Sequence, residues 1–354
     1  MKIKKQISLL LAAVMLIAAL TGCGSKSEPS ANNPVRTPDT QKTDTNTPTN
    51  TPDEYEAVTI DNFDRTVEFT KKPERVVVLT LNSAEILAAL GEADAIVGIA
   101  RNANTVEDVL PEYYDALKDR DFPEAINSGV PTLEGMLGME PDLVIANSYY
   151  FNAAQIFGSM EDYQANGVEF YITEGSYVPN CTIENTYNDI RNIGAIFGKQ
   201  AEAEELITGM KERLSAVAGV VEGVEPGKVM SFDSFNEDGF FIAGGVGLAQ
   251  NLIELAGCIN VFSDVERQFA NVNIEEIIAR NPEVIIIHAY SYMGEADTQA
   301  KIDKLMNTEE LSEVPAVQNN NIVVVPLFQV NPSLQNVNYV ETLAMAMYPD
   351  RFIG

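Results

Sequence analysis

At 354 residues the chain can hold two domains with cores of their own. A hydrophobic share of 45% and a charged share of 21% are ordinary for a soluble globular protein. The formal charge of −29 is not ordinary. It repels polyanions, which argues against nucleic acid or anionic lipid as partners bound through charge.

Residues 1–22 read as a signal peptide, with a basic start at Lys2, Lys4 and Lys5 and an apolar run from Ile7 to Leu20. That run is short for a spanning helix. It ends in Leu20-Thr21-Gly22-Cys23, which resembles the bacterial lipobox, where the Cys is diacylated and becomes the first mature residue. Residues 23–55 then form a lipidated Cys23 and a tether rich in Thr, Pro, Asn, Asp and Ser. Such a composition cannot build a core and is expected to stay disordered.

Order is expected from Val58. Val58-Thr59-Ile60 and Thr66-Val67-Glu68-Phe69 alternate around a turn and read as a hairpin. Arg75 to Leu79 is a buried strand, Asn82-Ser83 can cap a helix ending at Gly91, and Ala95 to Ile99 is the next strand. Leu133 to Asn147 reads LEGMLGMEPDLVIAN: a short helix, a Pro turn that sets extended geometry before it, and an apolar strand covered on both faces. Val168 to Ile172 is one more strand. A helix follows through Ile183, Tyr187, Ile190, Ile193 and Phe197, ending at Gly198. A second pattern from Gln200 to Val221 makes a rod of roughly 33 Å at 1.5 Å per residue.

Beyond the rod the order repeats. Lys228 to Phe232 is a strand, and Leu248 to Ala256 a helix ending at Gly257. Ile274 to His288 reads IEEIIARNPEVIIIH. At an offset of 141 residues, Glu134 falls on Glu275, Pro141 on Pro282 and Asp142 on Glu283. Ile322 to Val325 is a late strand, and Val340 to Met347 lies in a closing helix. The reading is an α/β protein of two similar three-layer α/β/α lobes, 56–198 and 224–354, joined by one long rigid helix over 199–223. A ligand cleft lies between the lobes.

Parallel α/β sheets bind ligands beyond the carboxyl ends of their strands. The candidates there are Asn82, Arg101, Tyr149, Tyr150, Asp233, Phe235, Tyr290, Tyr292 and Gln329. Tyr149 falls on Tyr290 at the repeat offset, so matching aromatics are expected to face each other across the cleft. For each ring, packing of a loop is the competing explanation. Arg101 can pair with an anionic group or sit as a surface arginine. Thr132 and Asn273 are natural N-caps, so helix-dipole stabilisation alone can explain Glu134 and Glu275. Gly244-Gly245-Val246-Gly247 lacks the third glycine of a dinucleotide loop and reads as a tight turn or a loop touching ligand. His288 is the single histidine, which argues against a bare-metal site, and no G-x-S-x-G elbow supports a hydrolase. No catalytic cluster, metal site or cofactor is expected. Cys181 and Cys258 are expected to be free thiols rather than a disulfide.

These residues together resemble the helical-backbone class of ABC-transporter substrate-binding lipoproteins, which includes ferric-siderophore, haem and cobalamin binders. The resemblance runs from about Val58 to Phe352. It is carried by Pro73-Glu74-Arg75-Val76-Val77, by Leu133-Glu134 with Glu140-Pro141-Asp142-Leu143-Val144, and by Ile274-Glu275 with Asn281-Pro282-Glu283-Val284. Ala243-Gly244-Gly245, Leu255-Ala256-Gly257 and Val340-Glu341-Thr342-Leu343-Ala344 add to it. It implies a monomeric, lipid-anchored carrier on the extracytoplasmic face of the membrane. Such a carrier holds a small-molecule metal chelate between its lobes and delivers it to an ABC permease and its ATPase. It also implies that Glu134 and Glu275, one per lobe, dock on the permease. An iron(III)–siderophore is the expected cargo. Cobalamin or haem on the same fold is the alternative, and a sensor ectodomain or a two-lobed enzyme is the rival from another class.

Overall fold

The computed structural model describes residues 55–100, 104–120, 131–237 and 239–352. The signal peptide, Cys23, nearly all of the tether and Arg101 lie outside the described residues. The hairpin forms as β1 (Val58–Asn62) and β2 (Arg65–Phe69), with Asn62 paired to Arg65. Only Phe63 and Asp64 turn the chain, both at positive φ (53° and 56°), the conformation a two-residue hairpin demands.

Two separate sheets follow. The first holds β3 (Val76–Val78), β4 (Ile96–Ile99), β5 (Leu143–Ala146) and β6 (Glu169–Ile172), all parallel, in the order β4-β3-β5-β6. The second is built on β7 (Gly227–Asn236), β9 (Cys258–Asn260), β11 (Val284–Ala289) and β12 (Ile322–Pro326). These four are parallel and ordered β9-β7-β11-β12, so the winding of the first sheet recurs. The sequence reading did not find β9. It also missed an antiparallel extension, in which β8 (Gly239–Ala243) pairs with the far half of β7 and β10 (Phe269–Val272) pairs with β8.

The Glu-Pro repeat occupies equivalent places in both sheets, leading into β5 and β11. Thr132 caps the helix Leu133–Leu137 by accepting from Gly135 N, and Asn273 caps Ile274–Arg280 in a capping box with Glu276. The acid after each proline ties the start of the neighbouring strand. Asp142 accepts from Glu74 N and Arg75 N at 2.9 and 3.0 Å, and Glu283 accepts from Lys228 N at 2.8 Å. One detail differs from expectation. Glu140 and Asn281, each before its proline, are left-handed (φ 49° and 55°) rather than extended. In both copies this residue closes the preceding helix. Asn281 N donates to Ile277 O and Glu140 N to Leu137 O, so the helix stop sets the geometry there.

The helix Ile183–Ile196 leads through Gly198 (φ 67°) into the long helix Gln200–Val221, the predicted rod. The two helices touch where a Cβ on Gly194 would stand 2.5 Å from that of Ala203. A single apolar cluster runs from Leu87 and Ile193 through Ile207 and Met210 to Leu252, Val340 and Leu343. It therefore spans elements of both lobes. Burying each such side chain contributes roughly 1.5–3 kcal/mol, which makes the strut part of the core rather than a free linker.

One local expectation changes. Thr80, not Asn82 or Ser83, caps the helix Leu81–Ala89, accepting from Ser83 N. Asn82 is thereby released for another role. Gly244 and Gly245 make a tight turn against the segment 263–267. A Cβ on Gly245 would lie 1.9 Å from Ser263 O, and one on Gly244 2.2 Å from Arg267 O. Close backbone approach explains both glycines. Cys181 and Cys258 are free and buried. Among the described residues no helix is long and apolar enough to cross a membrane.

Candidate functional site

A cavity of about 350 Å³ opens at the carboxyl ends of β3, β5 and β6. Thr80, Asn82, Ser83, Asn147, Tyr149, Thr173 and Ser176 line one side, and Gln268, Leu327, Asn331 and Pro332 close the other. The first group belongs to the first sheet and its loops, the second to the loops of the second sheet, so the cavity is the cleft between the lobes. Every described side chain lining it is uncharged. Its polar groups are hydroxyls and amides that can both donate and accept.

The walls are tied together locally. Thr80 Oγ1 donates to Ser83 Oγ at 2.8 Å, and Thr173 Oγ1 donates to Asn147 Oδ1 at 2.5 Å. The backbone N of Ser148 donates to Ser176 Oγ, and Ser148 Oγ donates to Ser176 O, zipping the loop after β5 to the loop after β6. Tyr149 stands 45% exposed at the rim and stacks on Tyr150 at 4.6 Å. Tyr150 is buried, with its hydroxyl donating to Leu79 O at 3.2 Å. Of this adjacent pair, then, Tyr149 meets the cavity and Tyr150 backs it.

Contacts across the cleft set the lobe spacing. Asn82 Nδ2 donates to Phe328 O at 2.9 Å. Ser291 Oγ donates to Asp108 Oδ1, and a Cβ on Gly175 would collide with Pro332 at 2.2 Å. Gln335 Nε2 donates both to Asp108 O and to Glu85 Oε1, each at 2.8 Å. Glu85 is fully buried and also accepts from Leu110 N at 2.7 Å. Burial pushes its carboxyl up to about 7 despite those two donors, and the nearby Glu112 adds to the rise.

Two candidates on the second sheet, Asp233 and Tyr290, form a network of their own with His288, and the cavity lining includes none of Asp233, Phe235, Tyr290, Tyr292 and Gln329. His288, fully buried, sits 2.8 Å from Ser231 Oγ through Nε2 and 3.2 Å from Asp233 Oδ1 through Nδ1. Tyr290 donates to Asp233 Oδ2 at 2.6 Å. Burial alone would raise the Asp233 carboxyl. Hydrogen bonds from His288 and Tyr290 outweigh it and hold the group below the usual carboxylate range. Ser, His and Asp are thus connected as in a hydrolase, but Ser231 is fully buried within the sheet, where no substrate can meet it. Phe235, at the end of β7, is 38% exposed and stacks on Phe232, and Tyr292 is 59% exposed. Gln329 lies in the turn after β12, its carbonyl accepting from Asn336. Tyr149 lines the cavity, and Tyr290 is not part of its lining.

Sequence reasoning missed Thr80, Asn104, Asn147, Thr173, Ser176, Gln268, Asn331 and Pro332, all of which line the cavity. Asn147 and Thr173 directly follow β5 and β6, so the strand-end rule applied to every strand would have found them. Glu134 and Glu275 are exposed in the first turns of their helices, one leading into each sheet. Among the described residues no group of three or more His, Cys, Asp or Glu side chains is placed to hold a metal ion.

The family model "Periplasmic binding protein" matches residues 76–327. The chain is 24% identical over 251 residues to a vitamin B12-binding protein of Vibrio parahaemolyticus, covering 70% of this chain and 80% of the relative. It is 23% identical over 354 residues to an uncharacterized ABC transporter substrate-binding lipoprotein of Bacillus subtilis, covering 98% and 96%. The crystal structure of an ABC-type Fe3+-hydroxamate transport system from Saccharomonospora viridis matches 82% of this chain and 98% of its own, with a TM-score of 0.68 at 23% identity. A TM-score of 0.68 over 82% of this chain shows that its fold is shared with that structure. The chain belongs to the periplasmic binding protein family, the non-enzymatic solute carriers that serve ABC importers.

Proposed function

We propose that this carrier captures an iron(III)–siderophore-type chelate in the cleft and delivers it to its permease. The observation that carries this reading is the cleft's chemistry. Hydroxyls, amides and one exposed aromatic ring suit a guest whose own oxygens already satisfy the metal. A bare cation would need carboxylates or imidazoles as ligands. A volume of about 350 Å³ falls at the compact end of ligand sites, which range over roughly 300–1,000 Å³. The second reading, a corrinoid, is favoured by the vitamin B12-binding relative.

Glu134 and Glu275 are assigned to permease docking. Both are exposed, and each stands on its own lobe at the same place in the repeat, which suits two-point orientation over a pore by charge pairing. Acylation of Cys23 would hold the carrier at the membrane, with roughly 0.8 kcal/mol per buried methylene from its chains.

Calorimetric titration with a ferric trihydroxamate, cyanocobalamin and haemin tests the assignment. The proposal expects submicromolar binding of the ferric chelate, with the other two at least about tenfold weaker, a difference of roughly 1.4 kcal/mol. Tighter binding of cyanocobalamin would overturn it in favour of the second reading.

A further inference from the structure

We infer that His288 is a positioning residue: acting through Asp233, it fixes the Tyr290 phenol in one orientation where the second lobe meets the first. Tyr290 follows the carboxyl end of β11, and the next residue, Ser291, already reaches Asp108 on the opposite lobe. This inference rests on the proposed ligand site, extended past the cavity lining to Tyr290 beside the Ser291–Asp108 contact, in assigning Tyr290 a use, but not in assigning its geometry.

The hydrogen bonds run in one direction. Tyr339 donates to Ser231 Oγ at 3.5 Å, which leaves the Ser231 hydroxyl proton for His288 Nε2 at 2.8 Å. The ring then carries its proton on Nδ1 and donates it to Asp233 Oδ1. Asp233 Oδ2 takes the Tyr290 proton. Beneath the phenol, Lys301 Nζ stands 4.0 Å from the ring centroid, donates to His288 O at 2.8 Å and pairs with Asp297 at 3.0 Å. Groups from β7, β11 and the helix Glu295–Met306 thus converge on one ring.

Two consequences follow. The sheet does not need this network for its register, because Ile287 and Phe232 are already paired in the ladder and apolar residues fill the surrounding core. A hydrogen-bonded buried network of this kind specifies an orientation more than it adds stability. Second, the Tyr290 proton is committed to Asp233, so toward a guest the phenol oxygen acts as an acceptor. It selects ligands that present an amide N–H or a hydroxyl there.

The test uses full-length protein carrying 3-fluorotyrosine. Of the 13 tyrosine signals, the Tyr290 line is the one absent from Tyr290→Phe. In ligand-free protein, His288→Leu is expected to shift and broaden that line. His288→Asn, whose amide N–H replaces Nδ1–H, is expected to keep it narrow, and His288→Gln, whose amide falls at Nε2, is not. Affinity for ferrioxamine B should fall about tenfold in His288→Leu, as expected for loss of a charge-assisted hydrogen bond, and under about threefold in His288→Asn. In a Tyr290→Phe background, His288→Leu should add less than about twofold. An unchanged Tyr290 line in His288→Leu, or losses that multiply in the double variant, would overturn the inference. Should His288→Leu fail to fold, indistinguishable Asn and Gln variants would overturn it equally. If wild-type protein does not bind ferrioxamine B, the ligand proposal fails, while the fluorine line still decides the role of His288.

Discussion

Glu85 offers a quantitative handle on the contact between the lobes. It is fully buried, and only Leu110 N and Gln335 Nε2 donate to its carboxylate in the hydrogen bonds described above. Moving a carboxyl from its ordinary 4.5 up to about 7 corresponds to about 3 kcal/mol between its two protonation states. The sign follows from linkage. The folded-state value lies above the unfolded one, so Glu85 contributes stability that is fully present below about pH 4.5. That stability is lost as pH rises through about 7. Glu85→Gln keeps an oxygen for Leu110 and Gln335 but never ionises. Urea unfolding of both proteins from pH 4.5 to 8.5 should show the variant gaining on wild type by about 3 kcal/mol across that window. Asp189, also fully buried and pushed up to about 7 by burial, is present in both proteins and cancels in the difference. A stability difference that stays constant with pH would refute the reasoning.

The Glu134→Ala, Glu275→Ala double variant should bind ligand like wild type yet support no uptake in cells; normal uptake would remove the docking assignment. Tyr149→Ala removes the exposed ring at the cleft rim and should weaken ferric-chelate binding by about 1–2 kcal/mol in calorimetry, whereas Tyr150→Phe should mainly lower thermal stability. Gly245→Ala forces a methyl against Ser263 O and should destabilise the fold by about 1–3 kcal/mol in urea, with no change in ligand preference. Burial pushes the Cys181 and Cys258 thiols up to about 12, so neither should react with a thiol reagent at pH 8 until the protein unfolds.

The sequence patterns that proved readable are those in which local and tertiary demands agree. Leu143–Ala146 and the run 284–287 are uniformly apolar and central in their sheets, and the long helix has the bounds its periodicity gives. The missed strands depend on partners. Cys258–Asn260 is too short to show a period, and Gly239–Ala243 and Phe269–Val272 are strands because each finds the other beside β7. The cavity was half legible for a related reason. Asn82 and Tyr149 stand at strand ends and reach it, but which of Tyr149 and Tyr150 faces outward is set by a 3-10 turn that no periodicity marks. Gln268, Asn331 and Pro332 enter from loops of the other lobe, distant in sequence. Glu85 looks in sequence like a solvated helix residue. Only the fold shows it sealed beneath Leu110 and Gln335.

The central claim is that a metal chelate is held between two like-built lobes. An anomalous-scattering map at the iron edge, from crystals grown with ferrioxamine B, tests it most directly. The account predicts one strong iron peak in the cleft, flanked by Asn82 and Tyr149 on one lobe and by Gln268 and Asn331 on the other. A peak confined to the surface of a single lobe, or ordered protein crystals with no iron peak at all, would contradict it.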